Sequence, residues 1–477
     1  MEKVTNAGTS TDGALSNEEI RDYQVLSQTE LVDEMNKLSS ETSEVLGFND
    51  SICKALLHHF KWNKVTLIER FYEFPETSNT DSFFRNANLL NPTKHSKIEG
   101  KVDYCKICYE LRRLTGLLCN HLFCRQCWSN WLSRNFLDES RPYATCPELR
   151  CTIIADDEFV LKTVDNEQAL RSYHKLVLKS FVECNTLINW CPAPECGRAV
   201  KVPRSEPRKI LCKCGCFFCF SCSQQWHEPI SCHMLKKWQK KCIDDSEISN
   251  GESSECSLVS ANTKNCPQCQ WTTEKGGGCN HMTCKNSSCR FEFCWMCLGP
   301  WASHVSCNRY DDDATKRGRD SQERSSTELQ RYLHYYSRFT NHQNSLKSER
   351  KLLEKVDEKI QIMQALGFRW IETKFLLKAV EILIECRRTL MYTYVFAFYL
   401  VQNNNITKIF VDNQSSLELA TEQLSHYLER ELPNEKGEVD EVKQKVQDKY
   451  RYVEQHRQNL LQHCVEGRER NEWEFCP

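Results

Sequence analysis

CKICYELRRLTGLLCNHLFCRQC, residues 105–127, carries six residues able to hold a metal, and Cys146 and Cys151 follow it. They fall into four pairs in chain order: Cys105 and Cys108, Cys119 and His121, Cys124 and Cys127, Cys146 and Cys151. Zinc takes four thiolate or imidazole ligands in a tetrahedron, and closely spaced pairs reach one ion together. Interleaving the first pair with the third and the second with the fourth gives two cross-braced zinc sites. Metal then supplies the stability that a small apolar core cannot.

The pattern repeats downstream. A second module offers Cys191 and Cys196, Cys212 and Cys214, Cys219 and Cys222, then His227 and Cys232, with Cys184 and Cys216 as bystanders. A third offers Cys266 and Cys269, Cys284 and Cys289, Cys294 and Cys297, then His304 and Cys307, paired in sequence. Three modules of eight ligands hold six zinc ions. Of the 30 cysteines in 477 residues, 26 lie between Cys105 and Cys307. The first residues lack the apolar core of a signal peptide, so reduced, metal-bound cysteines in an intracellular compartment are expected.

The third module has one Cys-His pair too many, Cys279 and His281. A thiol beside an imidazole in an ordered module has the makings of a nucleophile and its base. The alternative makes Cys279 and His281 ligands and leaves Cys284 and Cys289 free. Two features weigh against it. The four-residue gap between Cys284 and Cys289 repeats that between Cys191 and Cys196, and Gly276, Gly277 and Gly278 directly precede Cys279. A glycine run removes bulk beside a thiol that must meet a partner.

Outside the zinc region the chain reads as helical. Residues 1–43 are polar and are expected to be mostly disordered. Ile52, Leu56, Leu57 and Phe60, then Val65, Ile68 and Phe71, recur at helical spacing, with Asn49, Asp50 or Ser51 as a cap. Lys236 to Lys241 reads as helix and Asp244 to Ser257 as an acidic linker. Beyond Asn308 the apolar stripes predict several helices, among them one through Phe375–Ile384, one over Leu417–Glu431 and one over Val439–Val465. The apolar stretch Thr389 to Val401 is too short to span a bilayer and predicts a buried helix of a soluble protein. A formal net charge of −2 without a basic run disfavours nucleic acid as the main partner.

Leu46–Phe48 and the helices after it resemble a ubiquitin-associated (UBA-like) domain; a plain helical hairpin is the competing reading. The order of the zinc modules resembles the RING-between-RING ubiquitin ligases. NTKNCPQC, EKGGGCNHM, FEFCWMCLGPW, LMYTYVFAFYL and VQDKYRY are similar to the ariadne subfamily, closest to its animal ariadne-1 type. The resemblance implies small zinc-stabilised α+β modules between an N-terminal UBA-like unit and a C-terminal all-α Ariadne domain. The expected boundaries are 44–90 for the UBA-like unit, 101–155 for the first RING, 170–235 for the in-between-RING domain, 236–261 for a helix and linker, 262–307 for the catalytic second RING and 308–477 for the Ariadne domain.

The family further implies that a ubiquitin-conjugating enzyme docks on the first RING through Ile107. Ubiquitin passes to Cys279 as a thioester and then to a substrate lysine, with His281 as general base and Glu292 orienting it. The Ariadne domain would cover Cys279 until a cullin-RING ligase carrying a ubiquitin-like modifier displaces it. Residence in cytoplasm or nucleus fits, with no membrane or nucleic-acid partner. The chain departs from the family in the short His304–Cys307 spacing and the long acidic insert. Two rival readings remain at this point, an adaptor with an inert Cys279 and a nucleic-acid-binding zinc protein.

Overall fold

The computed structural model describes residues 22–73, 80–93, 100–248, 263–304, 307, 309–310, 321–401 and 404–476. The chain divides between Trp226 and His227 into two units.

The first unit begins with a short strand, β1 (Gln24–Leu26), followed by helix α1 (Gln28–Leu46). The disorder expected through residue 43 is corrected here for the described part, while residues 1–21 lie outside it. Ser27 and Glu30 form a capping box that satisfies the first backbone donors of α1. Leu31, Met35 and Leu46 are buried along one face. This signal lies in S-Q-T-E at Ser27–Glu30, a stretch whose polar composition masks it.

Gly47 ends α1 at φ 73°, a left-handed turn that suits glycine. Asn49 caps α2 (Asp50–His59) and Asn63 caps α3 (Lys64–Tyr72). Phe48 packs edge-on against Phe71 and Phe84, closing the small helical bundle.

Strands β2 (Val102–Tyr104), β3 (Leu111–Gly116) and β4 (Leu122–Cys124) form an antiparallel sheet beside helix α4 (Arg125–Leu137). Beyond it, β5 (Ile188–Trp190) pairs with β6 (Ala199–Lys201), and β1 takes the other edge of β6, Gln24 facing Lys201. The Tyr23 hydroxyl accepts from the Leu211 N–H at 2.9 Å and donates to the Leu211 carbonyl at 3.3 Å, fastening this added strand.

In the second unit a helix runs over Cys232–Ile248, longer at both ends than the sequence suggests, so the acidic stretch from Asp244 begins as helix. Residues 249–261 of the expected linker lie outside the described part. Two antiparallel hairpins follow, Thr263–Asn265 with Thr272–Glu274 and His281–Thr283 with Glu292–Cys294. Four long helices then span Ser321–Ala365, Trp370–Tyr399, Asn405–Glu429 and Lys436–Glu469. The second is buried at nearly every position from Thr389 to Tyr399. The apolar stretch from Thr389 is therefore core. Among the described residues no helix is long and apolar enough to cross a membrane.

Phe396 centres this core, 5.2 Å from the Phe410 ring and 5.3 Å from Trp473. Phe396→Ala should destabilise the helical domain by about 3–5 kcal/mol, the cost of a buried aromatic lost to a cavity. Hydrogen exchange in Trp370–Tyr399 checks this, and protection close to wild type would contradict it.

Candidate active site

The zinc ligands gather as the sequence pairs them. Cys105, Cys108, Cys124 and Cys127 form one group and Cys119, His121, Cys146 and Cys151 another, which is the interleaved arrangement. Cys191, Cys196, Cys212 and Cys214 form a third group, and Cys266, Cys269, Cys284 and Cys289 another. Sulfur–sulfur separations within these sets are 3.6 Å for Cys191–Cys214 and for Cys269–Cys284, and 3.8 Å for Cys108–Cys124. A tetrahedron with Zn–S bonds of about 2.3 Å requires about 3.8 Å, far from the ~2.05 Å of a disulfide.

Cys219 and Cys222 stand near the end of the first unit. His227 and Cys232 open the second, where the His227 Nδ1 meets the Ile230 carbonyl at 2.8 Å. That contact turns Nε2 toward Cys232 Sγ, 3.6 Å away, as a ligating imidazole needs. In the last set both ring nitrogens of His304 are buried without a hydrogen-bond partner, and the Cys294 and Cys307 thiols interact. An orphaned imidazole beside paired thiols fits a metal ligand. The short His304–Cys307 spacing therefore leaves ligand chemistry intact.

Cys279 and His281 stay outside these sets, and Cys284 and Cys289 are taken, so the alternative ligand assignment fails. The hairpin register explains how His281 finds Glu292. His281 faces Cys294 and Thr283 faces Glu292, so the two side chains are diagonal neighbours on one face. His281 Nε2 lies 3.0 Å from Glu292 Oε2. The imidazole stacks on Trp301 at 4.2 Å and 7°, and His426 packs against it at 4.6 Å. The His281 backbone N–H points at Cys279 Sγ at 3.3 Å.

Cys279 is only 4 % exposed. Its thiol donates to the Glu422 carbonyl at 3.5 Å, and its N–H donates to Glu429 Oε1 at 3.1 Å. The Asn280 N–H donates to the Glu422 carboxylate, and the Asn280 amide does so at 3.0 Å. Ser345 donates to the Gly278 carbonyl at 2.9 Å. A Cβ on Gly277 would meet Glu429, and one on Gly278 would meet Glu349, each at 2.7 Å. Here the glycine run admits carboxylates of the helical domain against the thiol. A cavity of about 300 Å³ opens beside Cys279.

Behind these contacts Arg387 is fully buried between Glu349 at 3.3 Å and Glu422 at 2.5 Å. Burial pushes the Cys279 thiol well above its ordinary range, and Glu422 and Glu429 push it further. Burial brings Lys275 down to about 8, opposed by Glu422. Its ammonium bridges Asn280 Oδ1 at 2.8 Å and Asn341 Oδ1 at 2.7 Å. In this state the thiol is protonated and shielded.

Ile107 is 47 % exposed on the first zinc module, with Tyr109 and Leu111 exposed nearby. Sequence reasoning missed Lys275, Glu349, Arg387, Glu422, His426 and Glu429. Of these only Arg387 carried a signal, a charge inside the otherwise apolar end of the helix Trp370–Tyr399.

Family models match along the chain: the UBA-like domain of E3 ubiquitin-protein ligase ARIH1 at 33–73, a C3HC4-type RING finger at 105–148, an IBR domain described as a half RING-finger at 171–232, an IBR domain at 261–309 and an Ariadne domain at 330–468. The E3 ubiquitin-protein ligase ari-1.1 of Caenorhabditis elegans is 48 % identical over 95 % of this chain and 90 % of its own length. Ariadne-1 of Drosophila melanogaster is 45 % identical over 95 % and 90 %. Human ARIH1 is 45 % identical over 95 % and 82 %. With UBA-like unit, RING, paired IBR-type modules and Ariadne domain in this order, the chain belongs to the ariadne family of RING-between-RING E3 ubiquitin-protein ligases.

Proposed function

We propose that the chain transfers ubiquitin through a thioester on Cys279. A ubiquitin-conjugating enzyme docks on the first RING around Ile107, and Cys279 attacks the ubiquitin thioester it carries. A substrate lysine then attacks the Cys279 thioester and forms the isopeptide bond. The observation that carries this reading is the position of Cys279, beside an imidazole–carboxylate pair and outside the zinc-ligand groups around it. Thioester exchange is nearly balanced, so the first step needs a thiolate in position. The second needs a neutral amine, and His281, held by Glu292, takes its proton.

The same geometry supports restraint by the Ariadne domain. Glu422 and Glu429 hold the backbone at the nucleophile, and burial keeps the thiol protonated. Release would come from a cullin-RING ligase whose cullin carries a ubiquitin-like modifier. Six zinc ions complete the holoprotein, and cytoplasm and nucleus are its expected compartments.

In a reconstituted reaction on a non-reducing gel, wild type should form a thiol-sensitive ubiquitin adduct and Cys279→Ser a thiol-resistant ester. Lysine modification without any adduct would sink the covalent route. His281→Ala should load normally but discharge about 10²-fold more slowly. Glu422→Ala should raise loading about tenfold, a coupling of ~1.4 kcal/mol; an unchanged rate would count against restraint.

Burial, then His281 and Arg430, hold His426 below its ordinary 6.5. The closed arrangement thus binds this proton less well than the open one, and closure is strongest above that value and weakens as pH falls through it. The ratio of Cys279 alkylation in wild type to that in Glu422→Ala cancels intrinsic thiol ionisation. It should rise from about pH 7.5 to about pH 5.5, and rise less in His426→Gln.

A further inference from the structure

The Cys279 and Asn280 N–H groups are adjacent backbone donors whose acceptors are both carboxylates, Glu429 Oε1 and Glu422 Oε2. Both acceptors come from the helix Asn405–Glu429, seven residues apart and so two turns along one face. The zinc module itself provides these N–H groups with no acceptor in the described contacts. Gly277 provides the room, since a Cβ there would meet the Glu429 carboxylate at 2.7 Å.

We infer that these two N–H groups are the oxyanion donors of the thioester exchange, and that Glu429 and Glu422 close the site by placing anionic oxygens where that oxyanion forms. The inference rests on the Cys279 reading above. In the exchange, Cys279 Sγ forms a bond to the thioester carbonyl carbon, and the carbonyl π electrons move onto oxygen. Collapse restores the carbonyl and expels the conjugating enzyme's thiolate, which takes up the proton that Cys279 gave away. The nucleophile's own N–H is separated from that oxygen only by Cα, Cβ, Sγ and the carbonyl carbon. A small ring therefore lets the N–H reach the oxygen whatever holds the rest of the substrate, as in other acyl-transfer sites. A neutral carbonyl or hydroxyl would satisfy the same N–H groups in a resting state. The choice of two carboxylates, beside a thiol whose ionisation they oppose, matches the charge of the intermediate.

The test uses the full chain carrying Glu422→Ala and Glu429→Ala, and two ubiquitin probes with the same recognition surface. One is ubiquitin with a C-terminal mercaptoethanesulfonate thioester, which must pass through an oxyanion. The other is ubiquitin ending in bromoethylamine, which alkylates a thiol without one. Both should label Cys279. Adding Asn280→Pro, which deletes one donor, should cut thioester transfer about 10²-fold and leave alkylation within about twofold. Asn280→Ala, which keeps the N–H, should leave the ratio of thioester transfer to alkylation within about threefold of its parent, whatever it does to the two rates together. Equal losses with both probes, at unchanged zinc content, would overturn the oxyanion assignment alone. Labelling that persists in Cys279→Ser, or is absent with both probes, would instead overturn the nucleophile reading.

If Asn280→Pro loses zinc, Glu429→Gln in the otherwise wild-type chain decides. This change keeps size and hydrogen bonding but removes charge. Thioester transfer should approach the Glu429→Ala rate, and a rate equal to wild type would show a plug of shape rather than charge.

Discussion

Arg387 is an unneutralised cation until Glu349 and Glu422 close around it, and burying any one of the three alone would be prohibitive. With either carboxylate lost the guanidinium keeps the other, and with both lost it would be a buried cation without a counter-ion. Arg387 and Glu349 come from different helices, and Glu422 from a third, so the guanidinium ties the helical domain together at one point. The same carboxylates then face outward to the loop at Cys279. Glu422 engages Asn280, and Glu349 lies over Gly278. Core stability and closure of the active site share atoms, so a substitution at Glu422 touches both.

The zinc modules solve a different problem. Their strands are three to six residues long, too short to bury much on their own. Ligand pairs fix the loops, and the hairpins inherit a register from them. That register sets the diagonal of His281 and Glu292. Between its ligands the last module is free to carry a thiol that no metal claims.

Spacing gathered the ligands into sets of eight, and Cys279 stood out as the surplus thiol of the third module once the repeated four-residue gap and the glycine run weighed against the rival pairing. His281 came with Cys279 as the surplus pair, while Glu292 depended on family resemblance, since an exposed glutamate does not announce a role. What escaped were the contacts made by residues far along the chain. Glu422 is 143 residues from Cys279 and reads as one more polar position on a helix. Likewise, Arg387 sits inside an apolar stripe that periodicity assigns to core, which is correct and still omits its purpose. The early helix Gln28–Leu46 was lost to polar composition, although its capping box was in plain view.

Strand Gln24–Leu26 has a consequence for handling the molecule. It covers one side of Ala199–Lys201, whose other side already pairs with Ile188–Trp190. A chain trimmed to begin at its UBA-like helix would bare a row of unsatisfied backbone donors and acceptors, together with the apolar patch at Val200 that Val25 helps to cover. Exposed edges of that kind recruit strands from other molecules. The few residues before the first helix thus act as a guard against self-association, and fragments made without them would be sticky for a reason unrelated to catalysis.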